Sequence, residues 1–248
     1  AQFPLQQRDS SKLLVCAESN ISENRFANIA DYLPPHSLII FNETRVIHAR
    51  LVFFKASGAR IEIFCLEPFE PVNDVQFAFQ QKSGVTWKCF VGNAKRWKGD
   101  KLTLRTAIGE TMVELTASLH KRLADTFLVN FEWTPEHISF AEVLEAFGKI
   151  PLPPYIGREA VDSDNLTYQT VYARHDGSVA APTAGLHFTP EVFRKLADKH
   201  IEKQTITLHV GAGTFKPVSS NSITEHTMHA EQVIIPNSVI EKIMEYEN

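Results

Sequence analysis

The stretch Ser37-Leu-Ile-Ile-Phe-Asn-Glu-Thr-Arg-Val-Ile-His-Ala-Arg50 decides the fold of this chain. Residues 37–41 form a continuous apolar run, which is typical of a buried strand. Polar side chains follow where that strand ends, and in α/β sheets ligands usually bind at strand ends. At Arg50 the character of the sequence changes, which predicts that a second domain begins there.

Short segments rich in β-branched and aromatic residues alternate with turn signals from Arg50 to Trp133. The first two flank Gly58 and predict a hairpin. Six or so short strands at this spacing favour a small antiparallel barrel or sandwich. The predicted strands cover residues 50–55, 60–66, 85–91, 101–106, 111–116 and 126–132. We therefore predict that residues 50–147 are a β-barrel domain inserted into another domain.

Helical and strand signals alternate outside this insertion. Residues 25–33 have helical spacing, Ser139 and Glu142 form a capping box, and Thr189 precedes Pro190 as an N-cap does. Residues 205–210 and 233–235 predict strands, and Asn237-Ser238 predicts the start of a last amphipathic helix. The predicted fold class is therefore a mixed α/β main domain, residues 1–49 and 148–248, carrying an inserted small antiparallel β-barrel.

Composition excludes several classes of protein. The 248 residues are 44% apolar and 22% charged, with a formal net charge of −4, so no global basic field indicates nucleic acid. The apolar runs are too short to span a bilayer, and no signal peptide is evident. Three scattered cysteines predict reduced thiols in a cytoplasmic protein. Because no Met begins the sequence, we expect a processed protein or a fragment.

Four segments carry residues suited to chemistry. In residues 41–50, Asn42 and Thr44 offer hydrogen bonds to a neutral ring or ribose, and Arg45 offers a fork to a carboxylate or phosphate. Taken alone, this segment fits a polar loop with a surface arginine better. In the Pro-rich residues 150–158, Tyr155 and Arg158 suit stacking on a base and pairing with a phosphate, but an interdomain linker fits the prolines equally well.

The third segment is Ser178-Val-Ala-Ala-Pro-Thr-Ala-Gly-Leu-His-Phe-Thr189, which ends at a predicted helix N-terminus. Its small residues allow close approach of a ligand to the backbone, and His187 suits an acid, a base or a hydrogen-bond donor. A small-residue loop packed under another segment is the alternative, and we favour the functional interpretation. The residues expected to approach the ligand are Pro182, Thr183, Ala184 and Gly185.

The fourth segment, residues 208–216, follows a strand with Gly211, Gly213 and Thr214. It matches neither the dinucleotide fingerprint nor a P-loop, which leaves a backbone nest for a carboxylate or ribose. His226, His229 and Glu231 come next. We predict no metal there, since no His-Glu-x-x-His helix and no cysteine is present. A hydrogen-bonding acid–base cluster is favoured over surface histidines.

A local basic patch contrasts with the acidic net charge. Residues 82–105 hold seven basic residues against Asp100, with Trp87 and Trp97 interleaved. Such a patch with stacking platforms is expected for contact with RNA, and we assign that contact to Lys95, Arg96 and Lys98. A solvated barrel face with core tryptophans explains the same pattern equally well.

Together these segments resemble the S-adenosylmethionine:tRNA ribosyltransferase-isomerase family of queuosine synthesis. The matching stretches occur in the family's order and cover nearly the whole chain, and the string of residues 178–188 is too long to match by chance. His48 stands where the family usually has Pro, and residues 82–105 match only loosely. The other matching stretches are residues 8–15, 41–51, 150–156, 168–173, 207–218 and 225–231.

The resemblance implies an α/β domain with an inserted β-barrel, and a reaction between S-adenosylmethionine and tRNA. The ribosyl part of S-adenosylmethionine would move to a 7-aminomethyl-7-deazaguanine base of the anticodon, which releases adenine and methionine and gives epoxyqueuosine. It implies no metal or redox cofactor, no membrane partner and a cytoplasmic location, and we expect a monomer. The family also has a leader and a further C-terminal stretch. A non-catalytic RNA-binding module, or an inactive fragment of such an enzyme, is the alternative.

This chemistry needs acid and base groups that titrate near neutrality, which histidine supplies. We assign proton transfer to His187 and His209, with His226 and His229 as further catalytic candidates. Arg45 or Arg50 would hold the methionine carboxylate. The expected substrate-binding residues are Asn42, Thr44, Arg45, Arg50, Pro182, Thr183, Ala184, Gly185, Gly211, Gly213, Thr214 and Glu231, and the expected tRNA-binding residues are Tyr155, Arg158, Lys95, Arg96 and Lys98.

Overall fold

A computed structural model describes residues 3–17, 20–153, 155–211, 214, 222, 224 and 230–247. Its internal contacts divide the chain into two compact units. The first unit holds residues 1–45, 152–210 and 217–248, and the second holds residues 46–151 and 211–216. The domain limits predicted from the sequence, 49/50 and 147/148, stay a prediction. Within the described ranges, no helix is long and apolar enough to cross a membrane.

The first unit combines short strands with helices around a parallel strand pair. Its strands are β1 (Lys12–Ala17), β2 (Asn20–Arg25), β3 (Leu38–Asn42), β4 (Thr44–Val46), β12 (His175–Ser178), β13 (Glu202–His209) and β14 (Gln232–Ile234). Its helices are α3 (Asp164–Thr167), α4 (Pro190–Asp198) and α5 (Asn237–Glu247), with 3₁₀ turns at Arg8–Ser10, Phe26–Tyr32 and Thr183–His187. The chain is therefore mixed α/β, as the sequence predicts.

The apolar run that decides the fold is β3. It pairs in parallel with β13, from Leu38 opposite Glu202 to Asn42 opposite Ile206, and β14 adds an antiparallel edge to β13. Beside this sheet, Phe41 meets the rings of Phe188 and Phe193 at centroid distances of 4.8 Å and 5.3 Å. Phe26, Val192, Leu196 and Ile201 complete the buried cluster. Packing of these apolar side chains fixes the end of β3.

Helix α4 begins where the sequence predicts. Thr189 caps it by accepting a hydrogen bond from the amide of Val192 at 3.3 Å, and Pro190 occupies the first helical position. Proline is well suited there because its missing N–H would have had no partner within the helix. The predicted helix over residues 25–33 is instead a 3₁₀ helix, residues 26–32.

The second unit is built on one antiparallel sheet of seven strands in the order β11-β5-β6-β7-β10-β9-β8. The predicted hairpin is confirmed: β5 and β6 pair antiparallel, and Gly58 between them has φ of 78°. The strands are β5 (Arg50–Phe54), β6 (Arg60–Glu70), β7 (Gly84–Gly92), β8 (Leu102–Ile108), β9 (Thr111–Arg122), β10 (Phe127–Thr134) and β11 (Gly148–Lys149), with helices α1 (Val75–Phe79) and α2 (Phe140–Phe147). The closed barrel stays a prediction.

Helix α2 anchors the aromatic core of the second unit. Ser139 and Glu142 form the predicted capping box. Phe140, the first residue of the helix, packs on Trp87 and Trp133, with 5.6 Å and 5.3 Å between ring centroids. Trp87 and Trp97 are each 1% exposed. The expectation that these two rings are stacking platforms for RNA is therefore wrong, since both belong to the core.

Gly148 follows α2 so closely that no larger residue fits. A Cβ there would lie 1.9 Å from the carbonyl oxygen of His48 and 2.5 Å from that of Leu144. We expect Gly148→Ala to lower the free energy of unfolding of the second unit by about 3 kcal/mol, because backbone must move to admit the methyl group. Tryptophan fluorescence during urea unfolding measures this, since all three tryptophans lie in this unit.

Gly84→Ala is the matched control. Its new Cβ would meet only the carbonyl oxygen of Phe131, at an ordinary 3.5 Å, and Glu132. Equal urea midpoints for the two variants would show that the close approach at Gly148 does not contribute to stability.

Candidate functional site

The side chain of Asn42 joins the ends of two strands. Its Nδ2 donates to the carbonyl of Leu208 at 2.9 Å, and its Oδ1 accepts from the amides of Leu208 at 2.9 Å and Thr44 at 3.1 Å. The amide thus occupies the place of a backbone peptide after the last residue pair of β3 and β13. Sequence reasoning assigned Asn42 to substrate; the structure shows its amide bonded to backbone.

A buried threonine–histidine pair lies directly beyond Asn42. Thr44 Oγ1 is 3.0 Å from His209 Nδ1, and the two residues are 0% and 5% exposed. Gly177 covers the imidazole: a Cβ at this position would be 2.4 Å from His209 Cε1. A hydrogen bond to Thr44 and close contact with backbone therefore hold the ring, as a group with a defined orientation must be held.

Ser178 ties β12 to the end of β13 beside this pair. Its hydroxyl donates to the carbonyl of Ala180 at 2.8 Å and accepts from the amide of Val210 at 3.0 Å, and the Val210 carbonyl accepts from the amide of Val179 at 2.9 Å. These bonds fix the start of the small-residue segment against the strand that carries His209.

Glu43, which sequence reasoning missed, places a carboxylate in the interior between Asn42 and Thr44. Its side chain is 9% exposed, with Arg174 Nε and His175 Nε2 each 3.7 Å from a carboxylate oxygen. Its carbonyl accepts from the amide of Arg174 at 2.8 Å. An acidic residue directly after an apolar strand is the only sequence signal that marks it. The neighbouring Arg45 is exposed and lies 3.8 Å from Asp176.

His187 forms a second group with the N-terminal segment. Its Nδ1 is 3.0 Å from Ser11 Oγ and 3.4 Å from the carbonyl oxygen of Arg8, and its ring lies 5.3 Å from that of Phe26. The imidazole is partly exposed, so solvent reaches it. Sequence reasoning found His187 but not Ser11 or the Arg8 carbonyl, because their contact spans more than 170 positions.

The segment before His187 is a 3₁₀ turn, Thr183–His187. Thr183 and Ala184 are exposed, Pro182 is partly exposed, and Gly185 is buried. A Cβ at Gly185 would lie 2.3 Å from the hydroxyl of Tyr172, which explains the glycine. Burial raises the pKa of Tyr172 to about 12, so this phenol stays protonated at neutral pH.

One aromatic cluster carries both groups. Phe41, which precedes Asn42, packs edge-on against Phe188, which follows His187, with 4.8 Å between ring centroids. The two polar segments therefore leave the same core at adjacent side chains.

Arg158 has a partner within the protein. It donates from Nη1 to Asp164 Oδ2 at 2.6 Å and from Nη2 to Asp164 Oδ1 at 2.8 Å, and its side chain is only 12% exposed. The hydrogen-bonded guanidinium lowers the pKa of the Asp164 carboxyl. The guanidinium expected to meet tRNA thus forms a bidentate pair with Asp164, and its contact with tRNA stays a prediction. Tyr155, its expected companion, is 78% exposed.

The remaining candidates lie in or next to the second unit. Arg50 pairs with Glu62 at 2.8 Å, whereas the expected tRNA contacts Lys95, Arg96 and Lys98 are exposed. Thr214 donates its amide to the carbonyl of Gly211 at 3.3 Å.

The predicted histidine cluster falls mostly outside the described residues. Gly213, His226 and His229 are outside the described residues. Glu231 is partly exposed and directly precedes β14. Among the residues that are described, no group of three or more His, Cys, Asp or Glu side chains is arranged to hold a metal. The histidines, the Glu43 carboxylate and the hydroxyls of the candidate site suit proton transfer and hydrogen bonding to a polar ligand.

Comparison with known proteins gives a family match over the full sequence. The model of the family described as queuosine biosynthesis protein matches residues 1–248. The S-adenosylmethionine:tRNA ribosyltransferase-isomerase of Syntrophotalea carbinolica is 41% identical over 95% of this chain, and that of Azoarcus sp. is 38% identical over 98%. The chain spans 64% of the length of each of these two relatives.

A solved structure also matches. The S-adenosylmethionine tRNA ribosyltransferase from Thermotoga maritima is 25% identical, and the match covers 99% of this chain and 61% of that one, with a TM-score of 0.34.

The Asp164–Arg158 pair predicts a specific pH dependence of stability. Because the folded-state pKa of Asp164 is lowered, the pair stabilises the protein above the ordinary aspartate pKa of about 3.9, and this contribution is lost as pH falls through the lower, folded value. Asp164→Asn should cost about 3 kcal/mol at pH 7 and make stability fall less steeply below pH 4. Thermal unfolding followed by circular dichroism at pH 3 to 7 measures both.

The exposed Asp162 is the matched control. Asp162→Asn should follow the parent protein at every pH. A parent-like pH profile for Asp164→Asn would contradict the assignment.

Proposed function

We propose, on the premise that this chain belongs to the queuosine biosynthesis protein family, that it carries out the reaction for which its relatives are named. In that reaction the ribosyl part of S-adenosylmethionine is transferred to 7-aminomethyl-7-deazaguanine in a tRNA anticodon and isomerised to epoxyqueuosine. The observation that carries the proposal is a pair of histidine groups in a chain that matches the family throughout. One is Thr44–His209 at the ends of β3 and β13, and the other is Ser11–His187 at the end of the 3₁₀ turn before α4.

The chemistry divides into proton transfers that histidines suit. A base removes the proton at C5′, which the adjacent positive sulfur acidifies. The substrate amine attacks, adenine leaves with a supplied proton, and the ribose closes to an epoxide as methionine departs. We assign these transfers to His187, whose partly exposed ring is reachable, and to His209, whose ring is oriented by Thr44 and Gly177.

The methionine carboxylate of S-adenosylmethionine needs a cationic partner, and the sequence offers Arg45 and Arg50 as candidates. We propose Arg45 rather than Arg50, because the nearest described acid to Arg45 is at 3.8 Å and half exposed, whereas Arg50 is paired with Glu62 at 2.8 Å. An arginine with a weak partner exchanges it for a ligand carboxylate at lower cost. The exposed residues Thr183 and Ala184 would then approach the ribose.

We propose tRNA as the macromolecular partner and assign its phosphates to Lys95, Arg96 and Lys98. These side chains are exposed around a 3₁₀ turn, residues 94–96. Since Trp87 and Trp97 are buried, this contact would be electrostatic and without base stacking. We further infer that residues 50–147 form the inserted barrel, and that the protein acts as a cytoplasmic monomer with no cofactor beyond S-adenosylmethionine.

Release of adenine tests the proposed reaction. Incubating the protein with S-adenosylmethionine and tRNA that carries the 7-aminomethyl-7-deazaguanine base should release adenine in step with modified tRNA. His187→Ala should lower kcat about 100-fold with little change in S-adenosylmethionine affinity, since it removes a proton-transfer group. Chromatography of the released base measures both.

The exposed His137 provides the control. His137→Ala should keep the parent turnover. Tight tRNA binding without adenine release would instead support the non-catalytic RNA-binding module or an inactive fragment, and unchanged turnover in His187→Ala would remove this residue from the chemistry.

The basic patch predicts the salt dependence of tRNA binding. Replacing Lys95, Arg96 and Lys98 together by Ala should weaken binding and flatten the plot of log Kd against log salt by about two units, because three phosphate contacts no longer release counterions. A filter-binding titration between 50 and 200 mM salt (about the range over which such effects are large) measures the slope.

A control removes the same charge from separate elements, with Lys149, Arg194 and Lys242 replaced by Ala. Its slope should stay at the parent value. Equal slopes in the two triple variants would show that the basic patch is a solvated surface and does not contact tRNA.

A further inference from the structure

We propose that the segment Arg8–Ser11 is the positioning element of His187, and that it holds the imidazole as the Nδ1–H tautomer with the lone pair on Nε2. The inference rests on the proposed function, in which His187 moves a proton, and names the ring atom that does so. Ser11 and the backbone of Arg8 act through His187 and are positioning groups.

The tautomer follows from the two neighbours of Nδ1. The carbonyl oxygen of Arg8, at 3.4 Å, has only lone pairs and so can only accept, whereas the hydroxyl of Ser11, at 3.0 Å, can accept or donate. A bare Nδ1 would turn its own lone pair towards the carbonyl oxygen. With the proton on Nδ1, both neighbours accept, and Nε2 is left with the lone pair.

Every residue of the segment has an anchor that keeps this geometry in place. Arg8 donates from Nη1 to the carbonyl of Gln169 at 2.6 Å and from Nη2 to that of Leu166 at 2.5 Å. Ser10 donates its hydroxyl to the carbonyl of Gln7 at 2.6 Å. A segment anchored by these bonds does not need to be reordered when its carbonyl orients a catalytic ring.

Asp9 links the segment to the other side of His187. It is 4% exposed, and its Oδ2 accepts from the hydroxyl of Thr189 at 2.9 Å. Thr189 is the cap of α4, two residues after His187. The segment therefore holds the histidine both through its ring and through the backbone that follows it.

The ring is also confined from the side. Phe26 lies 5.3 Å from the imidazole at 46° between planes, and the amide of Phe26 donates to the carbonyl of Ser11 at 2.9 Å. The hydroxyl and the aromatic ring that contact His187 are thus themselves connected. Because Nε2 lies on the opposite side of the imidazole from Nδ1, the base atom faces away from the contacts with Ser11 and Arg8, and His187 as a whole is partly exposed.

Nitrogen NMR of the whole ¹⁵N-labelled protein without substrate tests the tautomer. The imidazole signals of His187 are identified as those missing from His187→Gln. We expect a protonated-type shift at Nδ1 and a lone-pair-type shift at Nε2 when the ring is neutral. The reverse pattern, with the proton on Nε2, would overturn the proposal whatever the activity of the protein.

A pair of variants of equal size separates positioning from packing. Ser11→Thr and Ser11→Val both add a methyl group, and only the first keeps a hydroxyl. Ser11→Val should shift the tautomer populations of His187 towards Nε2–H and lower kcat for adenine release about tenfold relative to Ser11→Thr, with equal KM for S-adenosylmethionine. Thermal unfolding checks that both variants are folded.

The outcomes distinguish this inference from the function on which it rests. Equal tautomer populations and equal kcat in the two variants would show that Ser11 only packs. An Nδ1–H tautomer that depends on the hydroxyl, in a protein that releases no adenine, would uphold the positioning and reject the proposed reaction.

Discussion

The strand ends that carry Glu43, Thr44 and His209 depend on the amide of Asn42. Strands β3 and β13 pair in parallel up to Asn42 and Ile206, and there β3 must leave the sheet while β13 continues to His209. The Asn42 side chain bonds both the amide and the carbonyl of Leu208, so β13 keeps a hydrogen-bonding partner for one further step. Because the side chain replaces a backbone partner, the main chain is free to bring Glu43 inward and Thr44 against His209. An asparagine is suited to this task because its amide copies the donor and acceptor of a peptide.

Two buried carboxylates lie beside arginines in pairs that the local sequence does not predict. Glu43 and Asp164 are buried carboxylates, with Arg174 3.7 Å from Glu43 and Arg158 2.6 Å from Asp164. Asp164 and Arg158 are only six positions apart, yet no local sequence pattern predicts that they pair. Burying an ion pair is costly unless hydrogen bonds satisfy it, and Asp164 accepts a further one from the amide of Val161 at 2.8 Å.

Local rules predicted the elements well and the contacts between them less well. The buried strand after Ser37, the Gly58 hairpin, the Ser139 capping box and the Thr189 cap are each specified within a few residues, and the structure confirms them. The β1–β2 hairpin was missed because its strands are largely exposed and lack an apolar alternation. Tryptophans among lysines suggested stacking, although the strand period turns Trp87 inward. His187 and His209 could be predicted as candidates, but Ser11 and Gly177 act through tertiary contacts that no local pattern encodes.

The first unit is assembled from three separate lengths of chain, with residues 46–151 between the first two. Its core joins Phe26 and Phe41 to Phe188 and Val192, so it cannot close until more than 140 intervening residues have left the ribosome. The second unit is almost continuous in sequence and needs no such wait. During synthesis the seven-stranded sheet can therefore fold first, while the apolar strand that precedes it stays without its partner. An early exposed strand of this kind is where a nascent chain needs protection from aggregation.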